Sequence, residues 1–172
     1  MDVRLAIASR REVRDYAPDP IPADCIERIL DAGRLAGSAQ NRQPWTFVVL
    51  ESRERVEGLA RCVFAPANVL GASHVVAIVV RGKGPVSFDA GRAAQNMLLQ
   101  AWSEGVGSCP NGMADPEGAR AVLELVDEHE KIAIVLSFGY PARTGDSSSR
   151  SAGEWSARAN RRPLDDLVRH LP

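Results

Sequence analysis

Gly37-Ser-Ala-Gln-Asn-Arg-Gln-Pro-Trp-Thr-Phe-Val-Val-Leu50 joins a helical pattern to an apolar strand through a loop crowded with hydrogen-bonding side chains. Upstream, Ile26, Ile29, Leu30 and Gly33 recur at the spacing of one helix face. Downstream, residues 46–50 read as a strand. Ser38, Gln40, Asn41 and Gln43 each offer groups that donate and accept. Such groups suit a neutral ligand with several polar edges better than a metal or a bare anion. The alternative is a polar loop whose amides cap the preceding helix and satisfy loop backbone.

Outward from this loop, strands and helices mix over one core. Val75-Val-Ala-Ile-Val-Val80 is a continuous apolar run of buried-strand character, and His74 before it reads as structural. Residues 131–138 form a further strand, and residues 105–113 contain a strand end. Ser52 is placed to cap a helix carrying Val56, Leu59, Ala60 and Val63, which Ala65-Pro66 breaks. From Asp89, a long helix presents Ala90, Ala93, Ala94, Met97, Leu98 and Ala101, a stripe fit for a core contact or a subunit interface. Asp115-Pro116 opens a helix with Ala119, Val122 and Leu123. This order favours an α+β layer arrangement.

Two other stretches stand out. Val3 and Ile7 suggest an opening helix running into Ser9-Arg-Arg-Glu-Val-Arg-Asp-Tyr16, where Arg10 and Arg14 would share a helix face. These arginines are neutralised either by Glu12 and Asp15 or by a phosphate, which planar guanidiniums match. Gly105-Val-Gly-Ser-Cys-Pro-Asn-Gly-Met113 holds three glycines. It is either a tight turn or a place where backbone N–H groups approach a ligand. Residues 144–160 are polar and serine-rich and read as a mobile or wrapping loop. Arg161 and Arg162 precede a short amphipathic turn.

At 172 residues the chain fits a single domain spanning 1–172. A net charge of −1 argues against general nucleic-acid binding. No apolar run is long enough to cross a membrane. The mixed-charge start and three cysteines without metal spacing (Cys25, Cys62, Cys109) favour free thiols in a reducing cytoplasm. Only Lys83 and Lys131 are lysines and the other 19 basic residues are arginines, so any anion site here is built from guanidinium forks.

Taken in order, Arg10-Arg-Glu-Val-Arg14, Ser38-Ala-Gln-Asn-Arg-Gln-Pro-Trp45, Ala72-Ser-His-Val-Val76, Asp89-Ala-Gly-Arg-Ala-Ala-Gln-Asn-Met-Leu-Leu99, the 105–113 stretch and Arg161-Arg-Pro-Leu resemble the nitroreductase family of flavoproteins. The resemblance implies a central, mostly antiparallel sheet flanked by helices, in an intertwined homodimer that shares an FMN site. By similarity, Arg10 and Arg11 would hold the phosphate, joined by Arg161 or Arg162, and Arg14 would face the pyrimidine edge. Ser38, Ala39 and Asn41, with Gln43 from the same loop, would come from the other subunit. Pro110, Asn111 and Gly112 would lie beside the isoalloxazine, with a backbone N–H directed at N5. The implied activity is transfer of hydride from NADH or NADPH to a nitroaromatic, quinone or related acceptor, with no side chain as dedicated acid. Alternatives on the same fold are a dehalogenating or flavin-fragmenting enzyme and a redox-sensing flavin module. The chain departs from the family at Glu12, where serine is usual, and at Gly37, where proline is common. Ala65 and Asn68 stand where larger members have asparagine and lysine, and only residues 81–88 connect strand to helix where those members insert a lid.

Overall fold

The computed structural model describes residues 1–143 and 145–171; Thr144, the first residue of the serine-rich stretch, and Pro172 lie outside the described residues. The chain divides into two units, Met1–Arg10 with Gly145–Pro172, and Arg11–Thr144.

The larger unit is built on four antiparallel strands in the order β1-β2-β4-β3: β1 Trp45–Leu50, β2 His74–Arg81, β3 Gly107–Asn111 and β4 Glu130–Gly139. β2 is central, and helices cover both of its faces. That is why 75–80 is an unbroken apolar run rather than an alternating one. On one face, Val76, Ile78, Val80, Leu136 and Phe138 pack against α2 (Ala23–Arg34) and α5 (Val86–Ser103). On the other, Val75, Ala77 and Val135 meet α3 (Arg53–Ala60), α4 (Pro66–Leu70) and α6 (Pro116–Val122). Each large side chain so buried contributes roughly 1.5–3 kcal/mol of transfer free energy.

Local chemistry sets several boundaries as expected. Ser52 Oγ accepts the Arg55 N–H at 3.2 Å, and Asp115 accepts the Gly118 N–H at 3.0 Å with Pro116 at the first helical position. Beyond the break at Ala65-Pro66 the chain re-enters a helix, α4, with Pro66 in its first turn where a missing N–H costs nothing. The alanine stripe of α5 resolves to the core contact. Ala90, Ala93, Ala94 and Met97 are buried within this chain, so they are not a subunit surface. The connection from β2 to α5 spans only residues 82–85, turning on Gly82 and Gly84 at φ 113° and 95°.

The C-terminal end of α5 is fastened to α2 by Arg28, whose Nε and Nη2 reach the Glu104 carboxylate at 2.9 and 2.6 Å. The guanidinium holds Glu104 down at about 2 from an ordinary 4.5. A depressed carboxylate stabilises the fold above its unfolded pKa, and this is lost as pH falls through the folded one. Acid titration should therefore remove about 1 kcal/mol between pH ~4.5 and ~2, the scale of a bidentate ion pair at a partly exposed site. Glu104→Gln should flatten that part of the stability–pH curve. An unchanged curve, read by urea unfolding at several pH values, would mean the pair adds nothing.

The smaller unit contains α1 (Val3–Ser9), capped by Asp2, which packs against α7 (Ala152–Ala157). The serine-rich stretch is more ordered than its composition suggests. It holds a 3-10 turn at Ser147–Ser149 and α7, whose Ser151–Glu154 capping box satisfies the first-turn donors. Trp155 Nε1 closes it onto the Ser147 carbonyl at 2.8 Å. A second 3-10 turn, Leu164–Asp166, leaves Leu164, Leu167 and Leu171 exposed. No helix among the described residues is long and apolar enough to cross a membrane.

Candidate functional site

The arginine run is extended rather than helical. α1 stops at Ser9, Arg10 has φ −56° and ψ 135°, and residues 11–17 lie along the free edge of β3 and the end of β4. Val13 N–H donates to the Ser108 carbonyl at 3.0 Å, Glu12 bridges Ser108, and Ala17 N–H donates to the Tyr140 carbonyl at 2.8 Å. The expected helix face shared by Arg10 and Arg14 is thus absent, because the backbone groups of an edge strand outbid local helix formation. Two glycines admit the segment. A Cβ on Gly107 would come within 2.7 Å of Val13, and one on Gly139 within 2.7 Å of the Tyr16 ring. Arg14 is exposed and makes no hydrogen bond or ion pair with another described residue. Arg10 and Arg11 are half-buried.

β3 is the edge strand, so alternate residues turn their backbone groups outward. Ser108 spends its carbonyl on Val13. Pro110 is exposed and has no N–H to offer, as suits proline on an edge. Gly112 gives its carbonyl to the Phe64 N–H at 3.1 Å, while its own N–H donates to no described residue. Gly112 is exposed, with Phe64 as its one near neighbour. The exposed edge therefore ends in an N–H without an acceptor among the described residues, next to the Phe64 ring.

Asn111 behaves differently from its neighbours. Its side chain is buried, with Nδ2 bonded to the Cys109 carbonyl at 2.9 Å and to Ser137 Oγ at 3.1 Å. Its Oδ1 accepts from Asn68 Nδ2 at 3.1 Å. Tyr16 adds a hydrogen bond to Ser137 Oγ at 3.0 Å, and burial pushes the Tyr16 phenol upward, so it stays protonated. Tyr16, Ser137 and the inward turn of Asn111 were not legible in the sequence. Each is an ordinary residue type whose role depends on partners far away in the chain.

The 37–45 loop is shaped in advance. Gln40, Asn41 and Gln43 have φ of 53°, 55° and 49°, left-handed values that non-glycine residues seldom adopt. Ser38 Oγ accepts the Gln43 N–H at 2.8 Å, and buried Asp89 accepts the Ala39 N–H at 3.0 Å. The loop amides do not cap α2. The Ala32 carbonyl is taken by Asn96 of α5. Asn41 and Gln43 are exposed, and Ser38 and Ala39 half-buried. Three left-handed non-glycine residues thus fall within one exposed polar loop. In the smaller unit, Arg161 and Arg162 are exposed, and Arg162 Nη2 donates to the Asp166 carbonyl at 3.0 Å. His74 hydrogen-bonds Ser73 at 3.2 Å, and burial lowers its pKa, consistent with a structural role.

Comparison with known proteins bears on the fold and the family. Residues 7–83 and 86–140 match the family model described as the nitroreductase family. The chain belongs to the nitroreductase family. A protein of Methanothermobacter thermautotrophicus, assigned as an NADH dehydrogenase/NAD(P)H nitroreductase, is 33% identical over 153 residues, covering 83% of this chain and 78% of that one. An NADH dehydrogenase of Thermus thermophilus is 28% identical over 87% of this chain and 92% of its own. Among solved structures, a nitroreductase-type protein of Desulfovibrio desulfuricans in complex with FMN superposes with a TM-score of 0.84 and 26% identity, covering 100% of this chain and 98% of that one. The protein is an α+β oxidoreductase of this family.

Proposed function

We propose that the protein is an FMN-dependent oxidoreductase that takes hydride from NADH or NADPH, passes it to a nitroaromatic, quinone or related acceptor, and works in the cytoplasm as a homodimer. The observation that carries this reading is the Gly112 N–H, which follows edge strand β3 and has no acceptor among the described residues, on the strand whose other end, at Ser108, holds the Val13 segment. Gly112 itself puts no side chain between a planar ring and the backbone, the exposed Phe64 ring lies alongside, and a ring nitrogen can accept the N–H. Unpaired Arg14 suits the pyrimidine edge, where a guanidinium favours negative charge on the reduced cofactor. Guanidinium forks match a phosphate, and by family resemblance Arg10, Arg11, Arg161 and Arg162 are each proposed as phosphate ligands. When bound, FMN supplies the hydride relay through its N5.

Sheet order supports a shared site. The 37–45 loop enters β1, at the edge of the sheet opposite β3. Three inter-strand steps separate those edges by roughly 14 Å at 4.7–4.9 Å per step. Gly112 follows β3, at the edge opposite β1, so the loop that meets its ligand is assigned to a second copy. In this arrangement Ser38, Ala39, Asn41 and Gln43 read a flavin held by the partner's arginines, each chain alone presenting half of each site.

Purified protein supplied with FMN should be yellow, bleach on anaerobic addition of NADH or NADPH, and sediment as a dimer at micromolar concentration. Failure to take up FMN would sink the cofactor assignment. A flavin-saturated monomer would sink the shared site.

A further inference from the structure

Asn111 presents its backbone and its side chain to different surroundings. The peptide leaving it carries the Gly112 N–H, which has no acceptor among the described residues, whereas Asn111 as a whole is 3% exposed and its carboxamide bonds to groups on β3, β4 and α4. Both Nδ2 hydrogens are used, on the Cys109 carbonyl at 2.9 Å and Ser137 Oγ at 3.1 Å, and Oδ1 takes the Asn68 amide at 3.1 Å. Ser137 in turn donates to the Cys109 carbonyl at 3.2 Å and accepts from Tyr16 at 3.0 Å. A continuous line of hydrogen bonds thus runs from Tyr16 through Ser137 and Asn111 to Asn68 on α4. Its ends lie in two different segments, one bridged to Ser108 of β3 and one that follows the Phe64 contact with Gly112. Tyr16 is two residues past Arg14, and Asn68 is four past Phe64, whose N–H holds the Gly112 carbonyl.

We propose that Asn111 is a positioning residue: its buried carboxamide clamps the end of β3 to β4 and α4 and thereby fixes the direction of the Gly112 N–H. The inference rests on reading that N–H as the donor to the flavin N5. The β3–β4 ladder ends at Asn111, and glycine has no side chain to restrict its own dihedrals. The peptide between them is aimed by what holds Asn111 on one side and by the Phe64 N–H on the Gly112 carbonyl on the other. An apolar side chain would fill the same space, but it would not specify one orientation. A fully satisfied carboxamide does, because turning it leaves several buried groups without partners at once. Hydrogen bonds weaken steeply as the donor angle departs from linearity, so a small rotation of this peptide is felt at the acceptor.

The sign of the effect follows from the chemistry of N5, which accepts a hydrogen bond in the oxidised flavin and carries hydrogen in the reduced one. A well-aimed donor therefore favours the oxidised form, and loosening it raises the reduction potential. Asn111→Leu keeps the approximate volume and removes the clamp. The ratio of affinities for reduced over oxidised FMN should rise about tenfold, an upward shift of about 30 mV for a two-electron couple. Spectroscopic redox titration reads it, on protein shown by circular dichroism and cooperative thermal unfolding to be folded. Should Asn111→Leu fail to fold, Ser137→Ala removes only one partner and should move the potential the same way by about threefold, near 15 mV. A folded, FMN-loaded variant with the wild-type potential overturns the positioning role. Wild-type protein that binds no FMN overturns the proposed function instead, and that is measured first.

Discussion

Arg14→Met should lower the two-electron potential of bound FMN by about 30–60 mV. Arg14 is exposed and has no hydrogen bond or ion pair among the described residues, so its charge is not already neutralised by Asp15 or Glu12. A charge-assisted contact in a site closed by ligand is worth roughly 1.5–3 kcal/mol. With about 30 mV to 1.4 kcal/mol for two electrons, that energy becomes the stated shift. The direction is opposite to that expected for loosening the Gly112 N–H, which separates the two effects in one type of titration. Arg10→Met, by contrast, should weaken FMN retention and leave the potential nearly unchanged. An unshifted potential in the FMN-bound Arg14 variant would show that another residue occupies the pyrimidine edge.

Gly139→Ala should be strongly damaging for a single added methyl. The added Cβ would lie 2.7 Å from Tyr16 Cδ1, 2.9 Å from Cγ and 3.0 Å from Cβ. Tyr16 Cβ is fixed to backbone, so the ring cannot simply swing aside. The segment must lift from the end of β4, taking the Tyr16–Ser137 hydrogen bond with it. Overpacking of this kind costs about 1–3 kcal/mol and the lost hydrogen bond about 1 more. Thermal unfolding should fall by roughly 5–15 °C for a chain of this size. FMN affinity should fall as well, since Arg14 belongs to the displaced segment. Gly145→Ala is the control, because nothing among the described residues lies within 4 Å of a Cβ there. Equal melting temperatures for the two variants would show that the segment yields without cost.

Features whose causes are local were legible in the sequence. The helix beginning after Ser52 and the one opened by Asp115-Pro116 are decided by caps within three residues of their starts. The 75–80 run declares a strand buried on both faces, whatever its neighbours turn out to be. The order of short motifs was enough to indicate the family, because each motif carries its own chemistry: guanidiniums, amides and glycine backbone.

What the sequence did not determine was settled by partners distant in the chain. Residues 10–16 have a helical arginine spacing, yet they lie extended because the open edge of β3, about a hundred residues later, supplies backbone partners for Val13. The alanines of α5 fit a subunit contact as well as a core, and only the position of α2 beside them decides for the core. Asn111 has the composition of a ligand-contacting residue, but its carboxamide is turned inward by groups on α4, β3 and β4. The left-handed backbone at Gln40, Asn41 and Gln43 is held by Ser38 within the loop and by Asp89 from α5. Sequence alone determined which chemical groups this protein has available and, where a cap or an apolar run decides it, which segments are helix or strand, since those depend on neighbours within a few residues. Tertiary structure decided which of these groups face a ligand and which face each other, because that depends on strand pairing and burial between segments far apart in the chain.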